Sequence, residues 1–250
     1  MSSSSRPSNE PPASPAPFDI EPRLHRDGFL FIEAEDMRGL LPMPAVADFG
    51  DFARSWDRLG DDRFMADGGR YRRRRHATFA VGPDGIARKA HQPHYQSRDY
   101  NMLNGGIERW FEPIEPGVAT GSTLSGVIDF ANRVFSSLTP GNALSWHVEV
   151  HQFRIEAAAD AAGLPTPEGL HRDGVDWVLV MLVARHNVEE GVTKIHGRDR
   201  EEIGAFCLAA PFDAVLVDDH RIYHAVTPIV PLDPGEPAYR DVLVVTFKAA

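Results

Sequence analysis

The sequence predicts an α+β protein that is mainly β, with an antiparallel sandwich or jelly roll behind N-terminal helices. Two observations support this prediction. From residue 146 onward, segments rich in β-branched and aromatic residues alternate with turn-forming residues, at 146–155, 176–184, 192–196, 214–217, 223–229 and 239–247. The second segment contains the near-continuous apolar run 177–183, and a strand this apolar is expected to be buried on both faces.

The N-terminal part begins with a segment, 1–17, that is rich in Ser, Pro and Ala. Such a segment buries too little apolar area to offset its ordering entropy, so we expect disorder there and a single folded domain over 18–250. Residues 28–34 are typical of a strand. Residues 35–41 are typical of a short helix that ends at Pro42 and Pro44, and 48–59 have an apolar helical face.

The arginine-rich segment 69–81 is predicted to be a strand that turns at 82–85, a strong hairpin signal. Its charges are expected to alternate between solvent and a polar cleft. The polar and aromatic stretch 91–114 either lines a binding site or is a surface connection. Residues 120–138 repeat apolar side chains at helical spacing, with Thr120 or Ser122 as the cap and Pro140-Gly141 as the end.

The composition excludes several classes of protein. The net charge of −10 over 250 residues argues against a nucleic-acid partner or an anionic membrane surface. The one cysteine, Cys207, excludes an internal disulfide and fits the cytoplasm. No apolar stretch reaches the ~18 residues of a membrane-spanning helix, and the first residues lack the apolar core of a secretory signal.

A candidate metal site lies in the motif His171-Arg172-Asp173. In an extended segment, residues i and i+2 point to the same face, so one imidazole and one carboxylate converge. His224 follows 51 residues after Asp173 (224 − 173) and is the candidate third ligand, preferred over His220 in a predicted turn. Two histidines and one carboxylate are the ligands of non-haem Fe(II) oxygenases. The same tetrapeptide at 25–28 has no such partner and is interpreted as a turn.

A rival metal site lies on the strand 146–155, where His147, Glu149 and His151 share one face. At ~3.3 Å per residue, the two histidines are ~13 Å apart and cannot share one ion, although a pair of neighbours could. A cupin-type metalloenzyme without 2-oxoglutarate therefore stays an alternative. On the opposite face of this strand, Gln152 and Arg154 are candidate ligand contacts.

Taken together, four segments resemble the 2-oxoglutarate/Fe(II)-dependent dioxygenases. They are Glu168-Gly-Leu-His171-Arg-Asp173-Gly, Arg185-His-Asn-Val, Tyr223-His224-Ala-Val-Thr-Pro-Ile and Arg240 in the terminal strand. The resemblance covers roughly residues 70–248, and it is greatest to the bacterial L-isoleucine dioxygenase-like branch, which hydroxylates free aliphatic amino acids. It implies a double-stranded β-helix (jelly roll) core with flanking N-terminal helices.

The resemblance also implies the cofactors. His171, Asp173 and His224 would bind Fe(II), and Arg240 would bind the distal carboxylate of 2-oxoglutarate, since a guanidinium meets a carboxylate with two parallel hydrogen bonds. Gln152 and Thr227 are further candidate contacts to 2-oxoglutarate. Arg240 follows His224 by 16 residues (240 − 224), later than in many of these enzymes, and the Pro/Gly loop 231–238 accounts for the difference.

The implied reaction is hydroxylation, or sulfoxidation, of a small free L-amino acid by dioxygen. The substrate carboxylate needs a cation, for which Arg109, Arg154 and the arginines at 70 and 72–75 are candidates, and the side chain needs an apolar wall, from Tyr95, Trp110 or Trp146. A homodimer is compatible with this function. The alternative from another class is a non-catalytic jelly-roll protein that binds a metal or small ligand, with a stress- or biofilm-related role.

Overall fold

The computed structural model describes residues 20–140 and 145–250. The predicted disordered tail over 1–17, and the predicted start of the domain at residue 18, lie outside these residues. Within the two described ranges, no helix has both the length and the apolar character needed to cross a bilayer.

Helices occupy the first half of the described chain. Their bounds are α1 Ile20–Asp27, α2 Ala34–Leu40, α3 Met43–Ala47, α4 Phe49–Arg54, a 3-10 helix Ser55–Arg58, α5 Pro116–Ala119 and α6 Ser122–Leu138. The predicted helices at 35–41, 48–59 and 120–138 are therefore present, the second as two short pieces. Neither α1 nor α3 was predicted, because α1 carries four charged residues in eight and α3 spans a proline-containing segment.

Strands make up most of the second half. Their bounds are β1 Phe29–Ile32, β2 Arg72–Gly82, β3 Gly85–Arg88, β4 His94–Tyr95, β5 Glu108–Arg109, β6 Trp146–Ala157, β7 Trp177–His186, β8 Val188–Glu190, β9 Val192–His196, β10 Glu202–Cys207, β11 Ala214–Asp218, β12 Tyr223–Val226, β13 Ile229–Pro231 and β14 Ala238–Ala249. Five of the six strands predicted from residue 146 onward are present as single strands. The sixth, 223–229, is divided into β12 and β13, which belong to different sheets, and β8 and β10 were not predicted.

Two layers of sheet enclose the centre of the molecule. Seven strands form one antiparallel sheet in the order β1-β11-β7-β14-β6-β2-β3, and the smaller sheets of the described residues are β10-β9-β12, β13-β8 and β4-β5. Ile195 of β9 packs with Val178 of β7 and Val215 of β11, so the small sheet lies against the large one. This arrangement is the predicted double-stranded β-helix with flanking N-terminal helices.

Helix α6 covers the outer face of the large sheet, so the central strands are buried on both faces. Phe135 of α6 stacks on Trp177 with ring centroids 5.2 Å apart and meets Phe247 edge to face. Along β14, Leu243, Val245 and Phe247 belong to the core cluster that includes α6, whereas Val242 and Val244 line the interior cavity. The apolar run of β7 is buried on both faces, as predicted.

The start of α6 is capped differently from the prediction. The N-cap is Gly121, and neither Thr120 nor Ser122 caps the helix: the Thr120 hydroxyl donates to Pro116 O. Instead, the Asp48 carboxylate accepts from Thr123 N at 3.2 Å and from the Thr123 hydroxyl at 3.3 Å. The cap comes from 75 residues away in the chain, so no local motif could identify it.

Candidate metal centre

A cavity of about 440 Å³ lies between the two layers of sheet. The large sheet contributes one face of β2, β6, β7, β11 and β14, the small sheet contributes β9 and β12, and the loop segments 94–101 and 165–175 lie at the side. Alternation along the strands places polar side chains of β2 and β6 beside an apolar surface from β7 and β11. The cavity therefore has a charged region and an aliphatic region.

The structure brings the predicted triad together at this cavity. His171 and His224 form a backbone bridge, with N–H···O distances of 3.1 and 2.9 Å in the two directions, and their rings are 4.5 Å apart. Nε2 of His171 lies 3.8 Å from Asp173 Oδ1, and Nε2 of His224 lies 3.7 Å from Asp173 Oδ2. The donor atoms of the three side chains all lie within 4.8 Å of one another, which is close enough to hold one metal ion.

The state of the two imidazoles suits metal binding. Nδ1 of His171 is 2.9 Å from Gly169 O, and a carbonyl only accepts, so Nδ1 carries a proton and Nε2 is the nitrogen available to a metal. Burial opposes the charged form of this ring, but the Glu168 and Asp173 carboxylates outweigh it and raise the pKa of His171. Burial, with a further contribution from His171, lowers the pKa of His224 to about 4, so this ring is neutral at pH 7. Both rings can therefore present one nitrogen to a cation.

Glycines on either side of His171 and Asp173 explain the local shape of the motif. Gly169 has φ +76° and Gly174 has φ +81°, a backbone conformation that residues other than glycine rarely adopt. A Cβ on Gly174 would lie 2.6 Å from the ring of Tyr100. Both glycines of the segment 168–174 are thus needed to turn the chain on each side of the ligand pair.

Asp219 holds this segment in place, a role that the sequence did not reveal. Its carboxylate, 2% exposed, accepts from the N–H groups of Asp173, Gly174 and Val175 at 2.9, 2.7 and 3.1 Å. The sequence signal was only a pair of aspartates in a predicted turn. The structure shows that the first, Asp218, caps that turn and the second fixes the backbone beside a candidate metal ligand.

Asp219→Asn is expected to weaken Fe(II) binding by roughly 10- to 100-fold, the usual cost of losing a group that orients a ligand. The three N–H groups share the two oxygens of the Asp219 carboxylate, but an amide has only one acceptor oxygen. Its NH₂ group would face at least one of the three N–H groups and repel it. Anaerobic Fe(II) titration measures the change. Asp218→Asn is the matched control, since Asp218 accepts only from His220 N in the exposed turn. Equal affinity in both variants would show that Asp219 does not position the site.

Arg240 lies in the cavity wall at the start of β14, where it faces Ile155 on one side and Arg185 on the other. It is 2% exposed, and its Nε has no hydrogen-bond partner. Burial, together with Arg185, lowers the pKa of Arg240 to about 10, so the group remains a cation at pH 7. Among the described residues no carboxylate lies within 4.0 Å of it, because the adjacent Asp241 bonds to Arg154 instead. A buried, unpaired guanidinium of this kind suits an anionic ligand.

A second polar group surrounds Glu149 in the same cavity. The donor atoms of His76, His94, Glu149 and His151 lie within 4.8 Å of one another, so by distance alone they could hold a metal ion. His147, which the sequence placed on the same face of β6 as Glu149 and His151, is not a member of that group. Its Nε2 lies 3.3 Å from Oε1 of Glu149. His76 and His94 come from β2 and β4, which the strand periodicity of β6 could not indicate.

Hydrogen bonds to the outer ring nitrogens argue against a metal at Glu149. The Arg74 guanidinium only donates, and it lies 2.9 Å from Nδ1 of His151, so the proton of His151 is on Nε2, which lies 3.5 Å from Glu149. Lys89 contacts Nδ1 of His147 in the same way at 2.8 Å. These two rings present N–H groups, not lone pairs, to the carboxylate. A divalent ion would also lie close to the buried Arg74.

The Glu149 group is therefore a carboxylate held by imidazole N–H donors. Burial alone would raise the pKa of Glu149, but the surrounding imidazoles of His147, His151, His76 and His94 hold it well below its usual range. Burial has the opposite effect on a histidine and lowers the pKa of His94 to about 4, so that ring is neutral.

Five predicted contacts are corrected by their position. Gln152 lies on the other face of β6 and donates to the Ser55 hydroxyl at 2.7 Å, and Arg154 bonds to Asp241 and Asp57 on that same face. Trp146 is buried against α6, where its indole N–H donates to Ser136. Thr227 accepts from Val192 N and is absent from the cavity wall, and Trp110 is 54% exposed outside it.

Other predicted contacts do reach the cavity. Arg109, Tyr95 and, from the arginine-rich strand, Arg72 and Arg74 all line it. Arg73 and Arg75 point outward to Glu156 and to Pro113 O, so the predicted alternation of the arginines is confirmed.

Comparison with known proteins gives a consistent result. A family model described as 2OG-Fe dioxygenase matches residues 53–246. The chain is 26% identical over 245 residues to L-isoleucine-4-hydroxylase of Bacillus thuringiensis, covering 92% of this chain and 96% of that protein. It is 29% identical over 161 residues to 3(1)-hydroxy-L-isoleucine 4-dioxygenase of Pantoea ananatis, covering 62% and 64%.

Solved structures share the fold. A BsmA homologue from Methylobium petroleophilum superposes with a TM-score of 0.88 at 33% identity, covering 96% of this chain and 95% of that one. The structure of IDO from Bacillus thuringiensis gives a TM-score of 0.77 at 21% identity, covering 92% and 99%, and at that identity it supports the fold alone.

Proposed function

Because the chain belongs to the 2OG-Fe dioxygenase family, whose enzymes use Fe(II) and 2-oxoglutarate, we propose that it oxidises a small free L-amino acid with an aliphatic side chain. The product would be a hydroxylated amino acid or, from a thioether side chain, a sulfoxide. Two relatives support the substrate class, since one is named L-isoleucine-4-hydroxylase and the other acts on a hydroxylated isoleucine by its name.

One observation supports the proposal most directly: His171, Asp173, His224 and Arg240 line the same cavity. We assign Fe(II) to the first three side chains, since two imidazoles and one carboxylate with open positions are the ligands of this class of oxygenase. The neutral His224 ring and the bond from His171 Nδ1 to Gly169 O, which leaves Nε2 as the metal-facing nitrogen, fit that assignment.

Arg240 is assigned to the distal carboxylate of 2-oxoglutarate. The cost of burying this guanidinium is offset when a carboxylate accepts from its N–H groups, and its Nε has no other partner. The neighbouring Arg185 is engaged by Val188 O and Glu190 O, so it shapes the end of the cavity and is not free to compete.

The remaining lining supports a small aliphatic substrate. Val178, Val180, Val215, Val217 and Ile195 form an apolar wall, which favours a branched hydrocarbon side chain and excludes water. Arg109, 2% exposed, is the candidate for the substrate carboxylate. Bound iron and 2-oxoglutarate supply the activation of dioxygen, and the described side chains bind, orient and desolvate the substrate.

The test begins with Fe(II) and 2-oxoglutarate added anaerobically to the purified protein. We expect the weak visible charge-transfer band of the chelated complex, and then succinate formation in air with members of a panel of free L-amino acids, L-isoleucine first. N-acetylated forms of the same amino acids are the matched control and should give no stimulation. Absence of both the band and stimulated succinate from folded protein would overturn the proposal.

Three further expectations stay predictions. They are a location in the cytoplasm, a homodimeric assembly, and one dioxygenase domain over 18–250 without a nucleic-acid or membrane partner.

A further inference from the structure

We propose that Glu168 binds the α-ammonium group of the substrate while Arg109 binds its α-carboxylate, so that the cavity selects amino acids with both groups free. This inference rests on the proposed function and names the residues that read the substrate class. Glu168 stands three residues before His171, in the segment whose glycines turn the chain at the cavity.

Glu168 is a buried carboxylate without a hydrogen bond of its own. Its side chain is 11% exposed and lines the cavity, and Oε2 is buried with no partner. Oε1 lies 3.3 Å from Nε2 of His171, the nitrogen assigned to Fe(II), so with iron bound this nitrogen would have no proton to donate to Glu168. A desolvated carboxylate in this state favours a cationic ligand.

The other carboxylates of the cavity wall are already engaged. In the described part of the chain three acidic side chains line the cavity, namely Glu149, Glu168 and Asp173. Glu149 is surrounded by imidazole N–H groups, and Asp173 is assigned to iron. Glu168 alone remains for the ammonium group of a ligand.

The same elimination applies to the cations of the wall, which are Arg72, Arg74, Arg109, Arg240 and Lys248. Arg72 donates to Asp62 at 2.7 Å. Arg74 bonds to His151 and stacks between the rings of Phe111 and Phe153, at 3.7 and 4.5 Å. Arg240 is assigned to 2-oxoglutarate, and Lys248 is exposed.

Arg109 is the buried cation that remains. Among the described residues its Nε has no hydrogen-bond partner, its side chain makes a long hydrogen bond of 3.5 Å from Nη2 to Gln96 Oε1, and its guanidinium lies 5.7 Å from the ring centroid of Phe111. Burial and the neighbouring Arg72 lower the pKa of Arg109, while the carboxylates of Asp62, Glu168 and Glu149 act in the opposite direction. Gln96 also donates to Asp173 O at 3.0 Å, so Arg109 is tied to the metal segment.

A ligand with one cationic and one anionic end would satisfy both groups at once. An α-amino acid carries these ends on a single carbon, and the apolar wall then takes its side chain. Amides of the amino group, including N-acylated amino acids and internal peptide residues, would leave Glu168 desolvated and unpaired, which costs more than a missing contact would.

The experiment compares wild type, Glu168→Gln and Glu202→Gln, using the Fe(II)–2-oxoglutarate band under anaerobic conditions. L-isoleucine, or the most active amino acid of the panel, is titrated and the change in the band is recorded. Its 2-hydroxy acid analogue, which lacks the ammonium group, is titrated in parallel. Glu202 is an exposed glutamate of β10 that pairs with Lys194 of β9, so Glu202→Gln controls for the loss of one negative charge.

The expected result is an unchanged band in all three proteins and a dissociation constant for the amino acid that rises roughly 10- to 100-fold in Glu168→Gln only, as for the loss of a charged hydrogen bond. The 2-hydroxy acid should bind wild type and Glu168→Gln equally. Unchanged amino-acid binding, or an equal weakening of both ligands, would overturn the assignment. Loss of the band in Glu168→Gln would also overturn it and make Glu168 an iron ligand. A folded wild type with neither the band nor stimulated succinate formation refutes the proposed function itself.

Discussion

Replacing His171 with alanine is expected to abolish iron retention and 2-oxoglutarate turnover while leaving the fold intact. The side chain supplies one of three ligands, and two remaining ligands, one of them a carboxylate, do not retain Fe(II) against dilution. The fold should lose only about 1–2 kcal/mol of unfolding free energy, the scale of the lost bond from Nδ1 to Gly169 O. Iron content after desalting, the charge-transfer band and a thermal denaturation curve measure these three quantities.

His94→Gln is the matched control, because His94 belongs to the other group of histidines in the same cavity. The hydrogen bonds around Glu149 predict that wild type binds one iron per chain and that His94→Gln still binds one. Two ions per chain in wild type, falling to one in His94→Gln, would show that the Glu149 group is a metal site after all. Retention of iron by His171→Ala would refute the assignment of the triad.

Arg240→Ala is expected to raise the Michaelis constant for 2-oxoglutarate by on the order of 100-fold or more. Truncating one partner of a buried, hydrogen-bonded charge pair typically costs 2–5 kcal/mol, and each 1.4 kcal/mol is a factor of about ten. Arg240→Lys should recover only part of the loss, since an ammonium cannot make the two parallel bonds of a guanidinium. Succinate formation at saturating amino acid, with 2-oxoglutarate varied, measures the effect.

Arg154→Lys is the control for this variant. Arg154 lies on β6, which pairs with β14, the strand that carries Arg240. Its guanidinium faces away from the cavity toward Asp241 and Asp57. Its replacement should lower thermal stability and leave the Michaelis constant for 2-oxoglutarate unchanged. A larger effect of Arg154→Lys than of Arg240→Ala on that constant would mean that the wrong arginine has been assigned.

Local patterns were sufficient for the elements and for the ligand motif. Alternation and apolar runs predicted the longer strands from residue 146 onward, because side-chain period and turn chemistry are properties of neighbouring residues. The strands β8 and β10 were not predicted, and β12 and β13 were not distinguished. For the same reason, His171 and Asp173 could be predicted to share a face. The preference for glycine at positions 169 and 174 is also local, since a positive φ is unfavourable for most other residues whatever surrounds them.

Strand parity did not reveal which face of β6 lines the cavity. Both faces of that strand are buried, one against the cavity and one against the N-terminal helices, and both carry polar residues. Gln152 and Arg154 were therefore assigned to ligands, although their partners, Ser55 and Asp241, are buried polar groups on the helical side. Trp146 was wrongly assigned to the substrate pocket for the same reason. Aromatic residues line ligand cavities and also fill protein cores, so the residue type does not distinguish the two.

Local sequence patterns were enough to predict the class of fold, the order of the longer strands and the residue types of a mononuclear metal site. Which charges are free depends on how the sheets close. The partners of Glu149, Arg74, Asp219 and Asp48 come from distant elements, so the engaged groups could be distinguished from Glu168, Arg109 and Arg240 only after the sheets had closed. The physical reason is that a buried charge is defined by what remains unpaired around it, and pairing is a property of space, not of spacing along the chain.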